Sequence, residues 1–209
     1  MLSGVEVLCH SSIRIDKHLI IYFDPYKIDK ENHDADIIFC THTHYDHFSE
    51  EDILKIKNDR TIFVGTEDSY IKAMKLGFPE ERIRIVEPNE KYEILGIKFE
   101  TVPAYNIEKK YHPIENNWVG YIVEINDIHY YISGDTDLTP EAKSVSCDVA
   151  FVPIGGRFTM NAKEAASLIN TIEPQITIPT HYGDIVGTYD DAELFNKLVK
   201  EDIKVKRYF

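Results

Sequence analysis

The sequence predicts a layered α/β sandwich built as one domain over residues 1–209. Three observations lead there. Short apolar runs of strand length recur along the whole chain, separated by segments with helical spacing. The order is the same in both halves, strands first and helices after, which is the pattern of stacked α and β layers. The most polar, chemistry-bearing segments stand where apolar runs end, as expected of sites formed at strand ends.

Each element has a local reason. Residues 5–9 and 13–15 alternate loosely, and residues 18–23 form an apolar run closed by the turn pair Asp24-Pro25. Residues 36–40 (DIIFC) are continuously apolar, as in a strand buried on both faces. Ser49 is placed to cap a helix that opens with Glu50, Glu51 and Asp52 and buries Ile53, Leu54 and Ile56. A strand at 61–64 leads to a helix over 67–76, stopped by Gly77. Strands follow at 82–86, 91–94 and 97–102. Residues 104–117 are polar, carry Pro113 and show no period, so they read as a long loop of the kind that shapes sites. The second half predicts strands at 118–125, 128–133, 148–153, 176–178 and 203–206, with helices over 162–172 and 190–200.

Composition narrows the function. With 23 Lys+Arg against 36 Asp+Glu, the net charge of −13 disfavours nucleic-acid binding, which needs a local excess of cations. Charged residues at 28% and hydrophobic ones at 43% argue against wholesale disorder. The cysteines, Cys9, Cys40 and Cys147, form no CxxC pair; Cys9 and Cys40 end apolar runs and read as small core residues, and nothing demands an oxidising compartment. No apolar run approaches the roughly 20 residues of a membrane span, and no signal peptide is visible, so a cytoplasmic location is expected. The oligomeric state is left open, with homo-oligomerisation one outcome.

Residues 41–48 read Thr-His-Thr-His-Tyr-Asp-His-Phe, an HxHxDH motif of His42, His44, Asp46 and His47 directly after the DIIFC strand. Residues two apart share a side in extended chain, so His42, His44 and Asp46 are expected to project together. His47, one step on, points elsewhere and suits a second, adjacent ion. Imidazole nitrogen and carboxylate oxygen suit Zn²⁺ or a similar divalent metal. Asp135, in Ser-Gly-Asp-Thr, and His181, in Pro-Thr-His-Tyr-Gly, end two further strands.

With these residues the sequence resembles the metallo-β-lactamase superfamily of metal-dependent hydrolases over nearly its whole length. It looks most similar to the branch of ascorbate-6-phosphate lactonase and the N-acylphosphatidylethanolamine phospholipase D-like proteins. The shared elements are Pro103-Ala104-Tyr105-Asn106, Gly134-Asp135-Thr136, Pro153-Ile154-Gly155-Gly156 through Thr159-Met160, and Ile178-Pro179-Thr180-His181-Tyr182. The resemblance implies a four-layer αββα sandwich and two divalent ions, with Zn²⁺ expected and Mn²⁺ the alternative. It implies His42 and His44 on the first ion, Asp46, His47 and His181 on the second, and Asp135 bridging both. In the family a third first-site histidine ends the strand that here reaches Ala104; this chain has Asn106 there. Either His112, six residues on, completes that site, which is the favoured reading, or Asn106 serves as a poor ligand or hydrogen-bonding group.

A metal pair lowers the pKa of a shared water toward about 7 and polarises the attacked oxygen, so hydrolysis of an ester, lactone or phosphodiester in a small-molecule substrate is expected. Asp46 is also the candidate to orient the nucleophile or shuttle a proton, as its family role implies. His10, Asn106 and Tyr182 are substrate-side candidates. His10 and Tyr182 have plainer alternatives, a packed strand-end histidine and a core ring. Arg157 is weighed as an anion grip against a solvated surface residue. His18, His33 and His129 read as surface residues or, for His129, a satisfied strand position. Two rival functions remain: a metal-dependent nuclease, opposed by the acidic balance, and a non-catalytic metal-binding domain, supported by the Asn106 departure.

Overall fold

Each of two mixed sheets begins as an antiparallel meander and ends as a parallel run. The structure is a computed structural model that describes residues 1–209, in two units, Leu2–Glu87 and Pro88–Phe209 with Met1. The α/β class read from the sequence holds, with strands and helices repeating in the same order in both units.

The N-terminal unit holds β1 (Val5–Cys9), β2 (Ser12–Asp16), β3 (Ile20–Phe23), β4 (Ile37–Phe39), β5 (Ile62–Gly65) and β6 (Ile83–Ile85), side by side in that order. β1 to β3 pair antiparallel, and β3 to β6 pair parallel. β4 is buried at every position, as its unbroken apolar run requires. Helix α1 (Glu50–Ile56) starts at Ser49, whose hydroxyl accepts from Asp52 N at 3.3 Å. It buries Ile53 and Ile56, but Leu54 is turned out, 45% exposed. The expected three-residue face is narrower because Leu54 lies about 100° around the helix from Ile53.

The helix expected over 67–76 is split. A 3₁₀ turn, Glu67–Ser69, precedes α2 (Tyr70–Lys75). Ser69 Oγ donates to Thr66 O at 2.5 Å, a local bond that competes with regular helix at this point. Gly77, at φ +81, closes α2 as expected, and Phe78 N reaches back to Ala73 O at 3.2 Å. The unit's core joins Tyr22, Ile38, Phe48, Ile53, Phe63 and Phe78.

The C-terminal unit holds β7 (Lys91–Ile94), β8 (Ile97–Pro103), β9 (Val119–Ile125), β10 (Ile128–Ile132), β11 (Val149–Pro153), β12 (Ile176–Thr180) and β13 (Lys204–Val205). They lie in sequence order, antiparallel from β7 to β10 and parallel from β10 to β13. β12 runs two residues past its expected end, straight through Pro179. Proline is tolerated because β13 pairs β12 only as far as Thr177, so β12 has no strand beside Pro179 on that side. Helices α3 (Ala162–Ile172) and α4 (Tyr189–Leu198) both start with capping boxes, Asn161 with Glu164 and Thr188 with Asp191. Ala165, Ala166, Leu168 and Ile169 of α3 pack into this unit's core with Phe195 of α4.

Strand direction positions the chemistry. β1, β3 and β4 run the same way, so the chain leaves all three at one edge of the first sheet, at His10, Asp24 and Thr41–His42. β8, β10 and β12 likewise share a direction, so the segments leading to Asn106, Asp135 and His181 leave the second sheet at one edge. Parallel strand ends are where α/β folds build sites.

Candidate metal centre

In the N-terminal unit the imidazoles of the motif are held from behind. Asp24, fully buried, accepts from Thr41 N at 2.8 Å through Oδ1. Its Oδ2 accepts from Thr41 Oγ1 at 2.8 Å and from His47 Nδ1 at 2.7 Å. A carboxylate only accepts, so His47 Nδ1 carries its proton and the neutral ring's lone pair is on Nε2. The Thr41 hydroxyl has spent its one proton on Asp24. It therefore accepts from His42 Nδ1 at 3.0 Å, which leaves the His42 lone pair on Nε2 as well. One buried carboxylate thus sets the tautomer of two histidines, the support that metal-binding imidazoles typically receive.

The motif is only partly extended. His42 Nε2 lies 3.0 Å from His44 Nδ1, as alternation predicts. After His44 the chain turns: His47 N and Phe48 N both bond His44 O, at 3.0 and 2.8 Å. Asp46 therefore comes from a turn and not from extended chain. His47 does not point elsewhere either; the turn folds its ring onto that of His42, with centroids 4.1 Å apart. Asp46 Oδ2 sits 3.7 Å from His47 Nε2 and 3.3 Å from His10 Nε2. His10 is buried at the β1–β2 turn, so its contact with Asp46 belongs to the donor cluster.

In the C-terminal unit Asp135 gathers two histidines. Its Oδ2 lies 3.0 Å from His181 Nε2 and 3.3 Å from His112 Nε2, all three residues buried. Asn106 stands behind His112: its Oδ1 is 3.0 Å from His112 N and 3.1 Å from His112 Nδ1. The Asn106 amide nitrogen donates to Phe158 O at 2.8 Å and Asp137 Oδ1 at 3.2 Å. Asp137 also accepts from Ile107 N at 3.0 Å and from Lys109 Nζ.

Three of these residues hold left-handed backbone: His10 at φ +54, Asp24 at +47 and His181 at +56. Non-glycine residues are uncommon there, and histidine and aspartate enter that region more readily than most. The donors fit a divalent cation. They are imidazole nitrogens and carboxylate oxygens, buried except at the half-buried His44, with ring protons directed away at His42, His47 and His112.

Other residues singled out in the sequence fall elsewhere. The Tyr182 hydroxyl donates to Phe209 O at 2.9 Å, and its ring packs on Phe209; burial raises its pKa, which keeps the phenol neutral. Arg157 is exposed, with its guanidinium over the Phe158 ring. His33 is exposed but not without partners, bonding Lys57 O at 2.8 Å and Glu31 at 3.0 Å. His129 pairs with Asp148 at the surface. Burial pushes the Cys40 thiol up and the Cys147 thiol to about 12, which keeps both neutral in the metal-free chain, and neither thiol belongs to the donor clusters. Cys9 is only half-buried.

A model of the beta-lactamase superfamily domain matches residues 5–181, the span that carries every donor above. The chain belongs to the metallo-β-lactamase superfamily. A UPF0173 metal-dependent hydrolase of Methanopyrus kandleri is 32% identical over 177 residues, covering 80% of this chain and 75% of that protein. One from Thermococcus onnurineus is 28% identical over 215 residues, covering 96% and 94%. The crystal structure of a provisionally named metal-dependent hydrolase from Parabacteroides distasonis superposes with a TM-score of 0.81 at 30% identity, covering 97% of this chain and 91% of that one. The fold is the metallo-β-lactamase fold, with two mixed sheets and helices, and the protein is a metal-dependent hydrolase of this superfamily with His and Asp groups able to hold metal. No helix is long and apolar enough to cross a membrane.

Proposed function

We propose that the protein is a dinuclear hydrolase of an ester, lactone or phosphodiester bond in a small molecule. In this reading His42, His44 and His112 would hold one divalent ion, Asp46, His47 and His181 would hold the other, and Asp135 would serve both. The observation that carries the reading is the orientation of the rings: His42, His47 and His112 each commit Nδ1–H to an oxygen, which presents Nε2 for coordination. The bound ions would supply a water acidified toward pKa about 7 and a polarised substrate oxygen. Zn²⁺ suits this donor set best, with Mn²⁺ the alternative.

The chain's own residues do the rest. Asp24 and Asn106 hold the rings from behind. His10, beside Asp46 Oδ2, restrains the carboxylate that orients the attacking water and passes its proton to the leaving group. An open groove of about 350 Å³ lined by Tyr26, Thr43, Tyr45, Phe48, Ser49 and Lys72 runs beside the motif. The lactonase-like branch rests on the motifs from Pro103 to Asn106 and Ile178 to Tyr182.

The test is metal analysis of the protein purified without chelator, with turnover on a panel of esters, lactones and phosphodiesters. Two equivalents of metal are expected, with activity lost in H42A and D135A. A chain that takes up no metal, or variants with unchanged turnover, would sink the proposal.

A further inference from the structure

We infer that Asn106 is a positioning residue that selects the tautomer of His112, and so turns a loop histidine into a ligand where the strand end supplies none. The inference rests on His112 as a ligand in the proposed site, but the tautomer assignment stands on hydrogen bonding alone.

The two ends of an asparagine amide look alike, so their identity has to come from their partners. Here both ends give the same answer. The end 3.0 Å from His112 N faces a backbone N–H, which can only donate, so it is oxygen. The other end faces Phe158 O at 2.8 Å and the Asp137 carboxylate at 3.2 Å, which only accept, so it is the amide nitrogen. His112 Nδ1 lies 3.1 Å from that same oxygen and must therefore carry a proton. In the neutral ring the lone pair is then on Nε2, the atom turned toward Asp135.

The arrangement also fixes the loop. Asn106 N donates to His112 O at 2.7 Å while Asn106 Oδ1 receives His112 N, so the six-residue excursion is closed by reciprocal bonds. Asp137 anchors it from below through Ile107 N, Lys109 Nζ and the Asn106 amide. Every donor and acceptor position of the Asn106 amide is spent inside the fold. A carboxylate would keep the bonds to His112 but set its second oxygen against Phe158 O and Asp137, so only the amide serves both ends.

Nitrogen-15 NMR of the full-length chain, after chelation and at a pH where histidine is neutral, reads the tautomer directly. His112 should carry its proton on Nδ1, and N106A should give a mixture of the two forms. Zinc titration should then show one of two equivalents weakened by about 10–100-fold in N106A, with the other unchanged. An Nε2–H form of His112 in the wild-type chain overturns the assignment, even if N106A fails to fold. A change of tautomer in N106A with both zinc affinities intact overturns the positioning role. A wild-type chain with the assigned tautomer that binds no zinc overturns the dinuclear reading and leaves the tautomer assignment standing.

Discussion

Asp24 Oδ2 and His47 Nδ1 lie 2.7 Å apart, with both side chains wholly buried. The same carboxylate holds Thr41, which in turn orients His42. Replacing Asp24 with asparagine puts an N–H group against the Thr41 hydroxyl and the His47 ring proton, or against Thr41 N if the amide flips. D24N should therefore weaken metal binding by about 10–100-fold. It should also cost about 1–3 kcal/mol of stability, since buried donors lose their acceptor. Zinc titration and urea unfolding of the chelated protein measure the two effects separately; wild-type affinity in D24N would refute the linkage.

Helix α1 offers a sharp contrast between neighbours. Ile53 is fully buried in the N-terminal core, while Leu54 is 45% exposed. I53A should cost about 2–5 kcal/mol by loss of burial and the cavity left behind. L54A should stay within about 0.5 kcal/mol. Equal losses in urea unfolding would show that the helix is rotated from the orientation described.

The parts of this molecule that repeat with a simple period were legible in its sequence. β4 follows from an unbroken apolar run, α3 from helical spacing, and His42 and His44 from alternation. What escaped depends on contacts distant in sequence. The turn that folds His47 onto His42 begins at His44, inside a stretch that reads equally well as extended. Asp24 reads as half of a turn pair, and its tie to residues 17 and 23 positions away has no local signature. Asp137 was missed for the same reason, since it acts on Asn106 from 31 residues away. A left-handed conformation at Asp24, a residue type that tolerates it, is the one signal near at hand, and it appears only in the structure.

Asp52 makes a prediction about pH. Burial alone would raise its pKa, but hydrogen bonds from Ser49, Lys55 and the amides of Ile28 and Lys27 outweigh burial and lower it. The folded carboxyl therefore binds a proton less readily than the unfolded one, whose pKa is about 3.9. Its contribution is present above that value and is lost as pH falls through the lower, folded pKa. D52N should destabilise the chain by about 1–3 kcal/mol at pH 7, and the gap should narrow on acidification below about pH 4. A gap that does not change with pH would show that the charge is not what the four bonds stabilise.

Gly155 tests how closely the loop carrying His181 is fitted. A Cβ added there would lie 2.5 Å from His181 O and 2.5 Å from Val186 Cγ2, with His181 Nδ1 at 3.3 Å. The valine methyl can give way, but a backbone carbonyl cannot rotate aside as a long side chain can. Either Gly155 or the His181 backbone has to move, and metal ligands tolerate only about 0.2 Å of displacement. G155A should thus lower metal affinity by about 10-fold or more, with a smaller loss of stability in the chelated chain. Gly96 supplies the control: it has φ +79, but an added Cβ there meets nothing within 4 Å. G96A should cost about 1 kcal/mol of stability through its backbone and leave metal affinity alone. If the two variants differ only in stability, the close approach at Gly155 serves packing and not the ligand.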